Sequence, residues 1–385
     1  MNPLRILLVT ETYPPEINGV AMTTQRLVEG LRTRGHWVGL VRPRQRRDRV
    51  EADTWTVPGL PIPYYPGLRL GLPVGWRLGR LMETQRLDLV HVATEGPLGW
   101  AALWAARSRG LPVTSGYHTH FDQYSGHYGL GWLMPWVTGW LDALHRRCQA
   151  TLVPTLELAA TLGARGIPNV QAVGRGVDTR LFHPGRRDPA LRGHWGLAED
   201  DLACLYVGRL AREKNLEVVE RAFAAIAARD PLARMVWVGD GPSLPRLRAA
   251  HPDHIFAGPR VGFDLAAHYA SADLFLFGSL SETWGNVLTE ALASGLGVVT
   301  YRRAAAEILI REGENGITVA AGDAPAFVSA AVALASDTES RQRLGRAASR
   351  SMREHGWEAI VERFEAVLRE VSDVGCGYRR IGASL

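Results

Sequence analysis

Short apolar segments of the strand type alternate with amphipathic helical segments along most of this 385-residue chain. The first such unit runs from the apolar segment Ile6–Thr10 through the helical pattern Met22–Arg34 to the apolar segment His36–Val41. Strands that alternate with helices in this way predict a parallel sheet with helices on both faces. The unit recurs in the segments Leu87–Val92, Leu98–Arg109, Val113–Tyr117, Thr151–Val153, Leu156–Gly163 and Val170–Val173. The predicted fold class is therefore α/β.

The alternation is interrupted at residues 174–197, which are rich in glycine, proline and arginine, and we interpret this stretch as a linker. It divides the chain into two α/β domains, at residues 1–180 and 181–356. The helical stretch Trp357–Val371 follows the complete second domain, so we expect residues 357–374 to pack back on the first. The second domain repeats the pattern in Leu202–Val207, Leu216–Ala228, Arg234–Val238, Ser243–Ala250, His254–Ala257, Leu274–Phe277, Asn286–Ser294 and Val298–Tyr301.

Composition excludes several classes of protein. The three cysteines lie far apart without a CxxC pair, which excludes a disulfide framework or a zinc cage and fits a reducing compartment. No apolar run reaches the ~18 residues of a membrane span, and the N-terminal run is too short for a signal peptide. The net charge of +5 favours an anionic partner, either a nucleotide, a phosphate or an anionic membrane surface. Because 39 acidic residues are interspersed, we do not expect nucleic acid as a partner.

A basic loop follows the predicted strand Leu202–Val207. It contains Arg209 and Lys214, and Lys214 is the only lysine in the chain. Ligands of open α/β sheets bind beyond the carboxyl ends of the strands, where a helix N-terminus also favours anions. The chain has neither GxGxxG nor a Walker A pattern, which argues against a nicotinamide enzyme. The loop therefore predicts a diphosphate site, with an ordinary basic surface loop as the alternative.

Two glutamates flank the start of the helix that follows the predicted strand Leu274–Phe277. Glu282 lies in the loop and Glu290 inside the helix, so their Cα atoms should be roughly 10 Å apart. That separation does not suit two carboxylates acting on one glycosidic bond. It suits an elongated ligand with hydroxyl groups at each end and a phosphate on the N–H groups of residues 285–288. The alternative is two surface glutamates near a helix start.

Further candidates lie in the first domain. His118 follows the predicted strand Val113–Tyr117 and is our candidate catalytic residue there; a metal site is not expected, because the HxH pair has no acidic cluster beside it. An arginine run at residues 42–49, the stretch Leu68–Leu81, and Trp132, Trp136 and Trp140 at helical spacing predict a surface that contacts an anionic membrane. The alternative is that these stretches form an ordinary solvated loop and a helix of the protein core, without contact with a membrane.

Motifs along nearly the whole chain resemble those of the family-4 retaining glycosyltransferases, which have the GT-B fold. The resemblance is carried by the segments Pro14–Val20, Tyr117–Thr119, Arg175–Asp178, Phe182–Pro184, Val207–Leu210, Lys214–Asn215, Val238–Pro242 and the Glu282/Glu290 pair. It implies two Rossmann-like domains facing a cleft, with no metal and no cofactor beyond the nucleotide-sugar co-substrate. Departures occur at Gly278 and Gly297, where relatives have proline, and in residues 301–307, which lack the usual Gly-Gly turn.

The resemblance also implies roles for single residues. Arg209 and Lys214 would hold the diphosphate, Glu290 the ribose hydroxyls and Glu282 the transferred sugar. His118 would hydrogen-bond that sugar near its reacting carbon. The remaining donor-binding residues implied are Gly19, Arg260, Val261, Asn286, Val287 and Leu288.

The resemblance implies hexosyl transfer from a UDP- or GDP-linked sugar to a lipid hydroxyl, by a cytoplasmic protein that is peripheral on the inner face of the membrane. Two alternatives remain open. One is GDP-mannose-dependent mannosyl transfer to a soluble or polysaccharide-precursor acceptor. The other is a non-catalytic subunit that binds nucleotide sugar.

Overall fold

The computed structural model describes residues 2–16, 18–45, 52–62, 65–117, 134–282 and 284–382. These residues form two compact units. The first contains the described chain up to Arg175 and the helix that begins at Trp357, and the second runs from Gly176 to Gly356. The division falls a few residues before the boundary between residues 180 and 181 that the sequence suggests.

The first unit consists of a parallel sheet, an antiparallel hairpin and the helices around them. Its strands are β1 (Arg5–Val9), β2 (Trp37–Pro43), β3 (Thr54–Val57), β4 (Gly59–Ile62), β5 (Tyr65–Gly71), β6 (Leu89–Val92), β7 (Val113–Gly116), β8 (Ala150–Val153) and β9 (Val170–Ala172). Its helices before residue 176 are α1 (Gly19–Thr33), α2 (Gly75–Gln85), α3 (Pro97–Arg107), α4 (Met134–His145) and α5 (Leu156–Ala164).

The parallel sheet of the first unit has the strand order β3-β2-β1-β6-β7-β8-β9, and β4 pairs with β5 in the hairpin. In β1, the residues Ile6, Leu7, Leu8 and Val9 are all inaccessible to solvent. An uninterrupted apolar strand of this kind is stable only where both faces of the sheet are covered. The sequence prediction of a parallel α/β unit is therefore confirmed.

The second unit has the same plan, with a parallel sheet in the strand order β12-β11-β10-β13-β14-β15. Its strands are β10 (Ala203–Val207), β11 (Arg234–Val238), β12 (Ile255–Gly258), β13 (Leu274–Phe277), β14 (Gly297–Tyr301) and β15 (Ile317–Val319). Its helices are α6 (Pro189–His194), α7 (Leu216–Ala227), α8 (Leu244–Ala250), α9 (Gly262–Ser271), α10 (Asn286–Ala293), α11 (Ala305–Leu309), α12 (Ala324–Ser336) and α13 (Thr338–Met352).

The last helix, α14 (Trp357–Gly382), follows the second unit in sequence but packs on α1 in the first unit. The two helices approach closely at Gly30, because a Cβ atom there would lie 2.4 Å from Cγ2 of Val361. Ile360, Phe364 and Leu368 of α14 belong to the same buried cluster as residues of β1 and β2. The predicted return of this helix to the first domain is therefore confirmed.

An ionic cluster also fixes α14. The carboxylate of Glu365 is ion-paired with Arg34, with Arg369 at 2.7 Å and with Nε2 of His36 at 3.0 Å. Burial alone would raise the pKa of Glu365, but the hydrogen bonds from Arg34, Arg369 and His36 outweigh it and lower the pKa to about 2. The carboxylate therefore stays ionised where the helix docks.

Parts of the predicted membrane surface have a different structure from the one that the sequence suggests. The stretch Leu68–Leu81 is divided between the end of β5 and the start of α2. Arg42 does not belong to an exposed charge run, because β2 continues to Pro43 and buries it. Arg44 is exposed, whereas Arg46, Arg47 and Arg49 lie outside the described residues. Across the described residues, no helix combines the length and the apolar character needed to cross a bilayer.

Candidate functional site

The carboxyl ends of β10 and β13 are neighbours in the sheet of the second unit. Strand β10 has β11 as its neighbour on one side and β13 on the other. The chain therefore adds strands in one direction from β10 to β12 and in the opposite direction from β13 to β15, so the strand order reverses between β10 and β13. Such a reversal leaves a crevice at the carboxyl ends of the two strands, where open α/β proteins bind ligands. The loops that carry Arg209, Lys214 and Glu282 all start there.

Glycines set the course of the loop after β10. Gly208 and Gly239 follow β10 and β11 with φ angles of 148° and 137°. A Cβ atom on Gly239 would lie 2.0 Å from the carbonyl oxygen of Gly208, so the two loops can touch only because Gly239 has no side chain. The N–H of Leu210 then donates to the carbonyl of Asp240 at 2.9 Å. This contact fixes the backbone on both sides of Arg209.

Arg209 is held by a buried acid. Its Nη1 lies 3.3 Å from Oε1 of Glu213, whose side chain is almost inaccessible to solvent. The hydroxyl of Ser281, in the loop after β13, donates to the carbonyl of Glu213 at 2.9 Å. The Arg209 side chain itself stays 28% exposed. It is therefore oriented by the protein and still accessible to a ligand.

Lys214 ends a short 3₁₀ turn, Arg212–Lys214, and forms an ion pair across the crevice. Its Nζ lies 2.6 Å from Oε1 of Glu282, although the two residues are 68 positions apart. The side chains are 13% and 18% exposed, so the pair is largely shielded from water without being closed to it. The structure therefore brings the two predicted residues into direct contact.

The residue after Lys214 adopts a left-handed conformation that directs the chain into α7. Asn215 has a φ of 51°, and its Nδ2 donates to the carbonyl of Gly278 at 3.0 Å. Asparagine tolerates this conformation better than most residues. A Cβ on Gly278 would lie 2.3 Å from Cγ1 of Val218, which explains the glycine at this position. The loops after β10 and β13 are thus joined at their bases.

Glu290 lies on α10, next to the hydroxyl of Tyr269. Oε2 of Glu290 is 2.9 Å from that hydroxyl, which also lies 3.2 Å from the carbonyl of Val287. Burial raises the pKa of Glu290 to about 7, and the hydrogen bond from Tyr269 lowers it only in part. Near neutral pH this half-buried carboxyl group is therefore divided between its two protonation states.

The first turn of α10 differs in one respect from the sequence expectation. Gly285 precedes the helix with a φ of 90°, and its carbonyl accepts the N–H of Leu288 at 2.9 Å. The N–H of Leu288 is thus already engaged within the turn and is not free for a phosphate. Asn286 and Val287 follow Gly285 directly, at the positive end of the helix dipole.

The segment after β14 contacts the loop that follows β13, and the backbone of this segment is strained. The N–H of Ala305 donates to the carbonyl of Trp284 at 3.2 Å. Ala304, just before it, has φ 52° and ψ −126°, a combination that residues with a Cβ rarely adopt. Ala304 lies in the segment where the sequence lacks the usual Gly-Gly turn.

The other predicted residues lie in separate places. Gly19 is the first residue of α1 in the first unit, and the preceding Asn18 caps the helix by accepting the N–H groups of Val20 and Ala21. Arg260 and Val261 precede α9 and are exposed; Arg260 contacts Asp264 at 2.9 Å. His118 lies outside the described residues. Within the part of the chain that the structure describes, no three His, Cys, Asp or Glu side chains are grouped as metal ligands would be.

Three residues of this site have roles that sequence reasoning missed. They are Glu213, which orients Arg209, Tyr269, which contacts Glu290, and Asn215, which joins the two loops. Asn215 could have been found, because asparagine directly after a loop lysine and before a helix is typical of a left-handed residue. Tyr269 carries no such signal, since it lies within an ordinary helical pattern.

Comparisons with known proteins agree with this architecture. Residues 17–181 match the family model Glycosyltransferase Family 4, and residues 201–337 match the model Glycosyl transferases group 1. A GDP-mannose-dependent alpha-mannosyltransferase of Corynebacterium glutamicum is 32% identical, over 94% of this chain and 87% of its own length. An alpha-monoglucosyldiacylglycerol synthase of Acholeplasma laidlawii is 28% identical, over 82% of this chain and 84% of its own length.

Solved structures show the same fold at low sequence identity. Sucrose-phosphate synthase from Thermosynechococcus elongatus has a TM-score of 0.77 at 18% identity and covers 96% of this chain and 100% of its own. WaaG, a glycosyltransferase involved in lipopolysaccharide biosynthesis, has a TM-score of 0.74 at 15% identity, over 94% of this chain and 99% of its own. This chain belongs to glycosyltransferase family 4. The resemblance inferred from the motifs and the GT-B fold class are both confirmed.

Proposed function

We propose that this glycosyltransferase moves a hexosyl group from a UDP- or GDP-linked sugar to a hydroxyl group of a membrane lipid, such as diacylglycerol or a glycolipid, with retention of the anomeric configuration. The observation that carries the proposal is the arrangement of Arg209, Lys214 and Glu282 around the carboxyl ends of β10 and β13, with Glu290 in the following helix. In this account the second domain binds the donor and the first domain, with α14, binds the acceptor.

The charges of the site suit the departure of a nucleoside diphosphate. The bond between the anomeric carbon and the β-phosphate oxygen breaks, the acceptor oxygen bonds to that carbon on the same face, and its proton passes to the leaving phosphate. Negative charge grows on the diphosphate during this step. Arg209 and Lys214 therefore stabilise the transition state more than the bound donor, aided by the N–H groups of Asn286 and Val287.

The two glutamates have different proposed tasks. Glu282 holds Lys214 in place before the donor arrives, and it also contacts the transferred sugar. His118 contacts the same sugar. Glu290 accepts hydrogen bonds from the ribose hydroxyls, for which its ionised form provides more acceptor capacity. Gly19, Arg260 and Val261 complete the proposed donor-binding set.

The lipid acceptor is supported by exposed aromatic side chains and by relatives. Trp136 and Trp140, on α4, and Trp76, on α2, are 78%, 51% and 69% exposed. Tryptophan at a protein surface is typical of proteins that bind at the membrane interface. The alpha-monoglucosyldiacylglycerol synthases among the relatives act on lipid by name. We therefore propose a peripheral position at the cytoplasmic face of an anionic membrane.

A second candidate function is mannosyl transfer from GDP-mannose to a soluble or polysaccharide-precursor acceptor. It is favoured by the names of three relatives at 32–33% identity, which specify GDP-mannose as the donor and no acceptor. The two candidates share the donor site and differ in the acceptor.

The test is transfer by the purified protein. We would supply GDP-mannose or UDP-glucose with a bacterial lipid extract or with soluble sugars, and detect the products by mass spectrometry and the anomer by NMR. We expect an α-linked glycolipid and release of the nucleoside diphosphate. Much faster transfer to a soluble acceptor would favour the second candidate. Tight nucleotide binding without turnover on any acceptor would favour a non-catalytic subunit.

A further inference from the structure

The first unit contains a cavity of about 420 Å³ that is lined by three arginines. They come from three different places in the chain: Arg44 directly follows β2, Arg69 lies in β5 and Arg77 lies in α2. Other lining residues, among them Val57 and Pro58, lie at the end of β3. Since β2 and β3 are parallel, the cavity lies at the carboxyl edge of the sheet, where open α/β folds bind ligands.

Among the described residues, no ion pair neutralises the positive charge of the cavity. Within the described ranges, no carboxylate lies within ion-pair distance of Arg44, Arg69 or Arg77. Arg69 is oriented by the carbonyl of Gly59, which accepts its Nε–H at 3.1 Å. The guanidinium of Arg77 lies over the ring of Trp76, 5.1 Å from its centroid. Three like charges around one cavity repel each other, so an anion bound among them is stabilised. Arginine is also the side chain best suited to bidentate binding of phosphate or carboxylate.

Exposed apolar side chains lie beside this charge. Leu60 of β4 is 59% exposed and lies directly opposite Leu70 of β5, which is 37% exposed. Leu72 follows at 37%, with its N–H bonded to the carbonyl of Pro58 in the cavity wall. Soluble proteins rarely place such a group of leucines in water without a binding role. An arginine-lined cavity next to exposed leucines fits a molecule with an anionic head and apolar chains.

The cavity is also connected to the loop that leads into α1. Gln45, which lines it, donates a hydrogen bond from Nε2 to the carboxylate of Glu16. That loop continues through Asn18 to Gly19, which is among the proposed donor-binding residues. A headgroup in the cavity would therefore lie at the same edge of the sheet as Gly19.

We propose that this cavity binds the negatively charged headgroup of the acceptor, and that the acceptor is an anionic lipid with a phosphate or carboxylate group. The inference rests on the proposed lipid glycosyltransferase activity and narrows its acceptor to anionic lipids, so neutral diacylglycerol would not be the substrate. Arg44 and Arg77 contact the anion, Arg69 completes the cavity wall, and the leucines of the hairpin contact the apolar chains.

The first test separates the charge classes of acceptor. A bacterial lipid extract is divided by anion exchange into neutral and acidic lipids, and each fraction is incubated with the protein and radiolabelled GDP-mannose or UDP-glucose. We expect the label in the acidic fraction. Label confined to the neutral fraction would overturn the anionic acceptor and leave the transferase function intact. Label in neither fraction, without donor turnover on any acceptor, would remove the transferase function itself.

The second test addresses the cavity with a charge-matched control. Arg44→Gln combined with Arg77→Gln should weaken the binding of short-chain phosphatidylglycerol at least tenfold, as measured by calorimetry, and leave GDP and UDP affinity unchanged. The control removes two exposed arginines of the same unit that lie outside both the cavity and the stretch Leu68–Leu81, Arg86→Gln with Arg363→Gln, and should change lipid affinity less than twofold.

Three results of the second test would overturn the assignment. One is an equal loss of lipid affinity in both double variants, because the effect would then be one of net charge. Another is equal affinity of the wild type for short-chain phosphatidylcholine. The third is inorganic phosphate binding as tightly as the short-chain lipid, which would make the cavity a site for free anions.

Discussion

The protonation of Glu290 should control nucleotide affinity near neutral pH. Burial raises the pKa of Glu290 to about 7, so the carboxyl group of the free protein is mostly neutral below this pH and mostly ionised above it. At a pKa of about 7, roughly 10% is ionised at pH 6 and roughly 90% at pH 8. If the ribose binds only to the ionised form, the affinity for GDP or UDP should rise about tenfold between these pH values.

The assay is calorimetric titration of GDP and UDP from pH 6 to pH 8, with two variants. Glu290→Gln should weaken binding and remove the part of the pH dependence that belongs to Glu290. The part that remains comes from the nucleotide, whose terminal phosphate titrates near pH 6 by analogy with phosphorylated side chains. Tyr269→Phe removes the hydroxyl that lowers the pKa of Glu290, so its midpoint should move to higher pH.

Two results would refute this reasoning. One is a pH profile of Glu290→Gln that matches that of the wild type, because the carboxyl group would then play no part in the titration. The other is a midpoint for Tyr269→Phe that moves to lower pH, because the hydrogen bond from Tyr269 would then favour the neutral form.

Three further predictions concern rate and stability. Glu282→Gln should lower the transfer rate more than the donor affinity, whereas Glu290→Gln should lower the donor affinity more than the transfer rate. Measurement of kcat and of the donor Kd decides this, and the opposite result would exchange the roles of the two glutamates. Glu365→Gln should reduce the free energy of unfolding in urea by about 3 kcal/mol at pH 7, because the pKa of Glu365 is lowered from 4.5 to about 2. That contribution exists above about pH 4.5 and disappears as the pH falls towards 2, so an equal loss at pH 3 would contradict it. Ala304→Gly should raise the free energy of unfolding by about 1 kcal/mol, since glycine relieves the strained backbone; a destabilised variant would contradict the strain.

Sequence reasoning predicted the elements that local patterns determine. Strands β10 and β13 are apolar throughout, and β1 is apolar after Arg5, because helices cover both faces of their sheets. Their type and approximate bounds therefore follow from composition alone. The loops that follow these strands contain the candidate residues, because open α/β sheets bind ligands beyond the carboxyl ends of their strands.

What the sequence could not predict depends on contacts between distant residues. The ion pair of Lys214 with Glu282 joins two loops that are adjacent only because β10 and β13 are neighbours in the sheet. The arginine pattern predicts that Arg42 begins an exposed run of charge, but the extent of β2 places it in the interior. The hairpin β4–β5 was missed because its proline, glycine and arginine residues obscure the alternation on which strand prediction depends.

The measurement that tests the central claim most directly is the rate of hexosyl transfer by Lys214→Ala at saturating donor. Arg212→Ala, an exposed cation from the same 3₁₀ turn, is the matched control. If Lys214 stabilises the departing diphosphate, its loss should cost about 3–4 kcal/mol of transition-state stabilisation, which is a reduction of at least a hundredfold. The control should keep a rate near that of the wild type, with both variants folded by circular dichroism. A folded Lys214→Ala protein that transfers at the wild-type rate would contradict the assignment of the donor site.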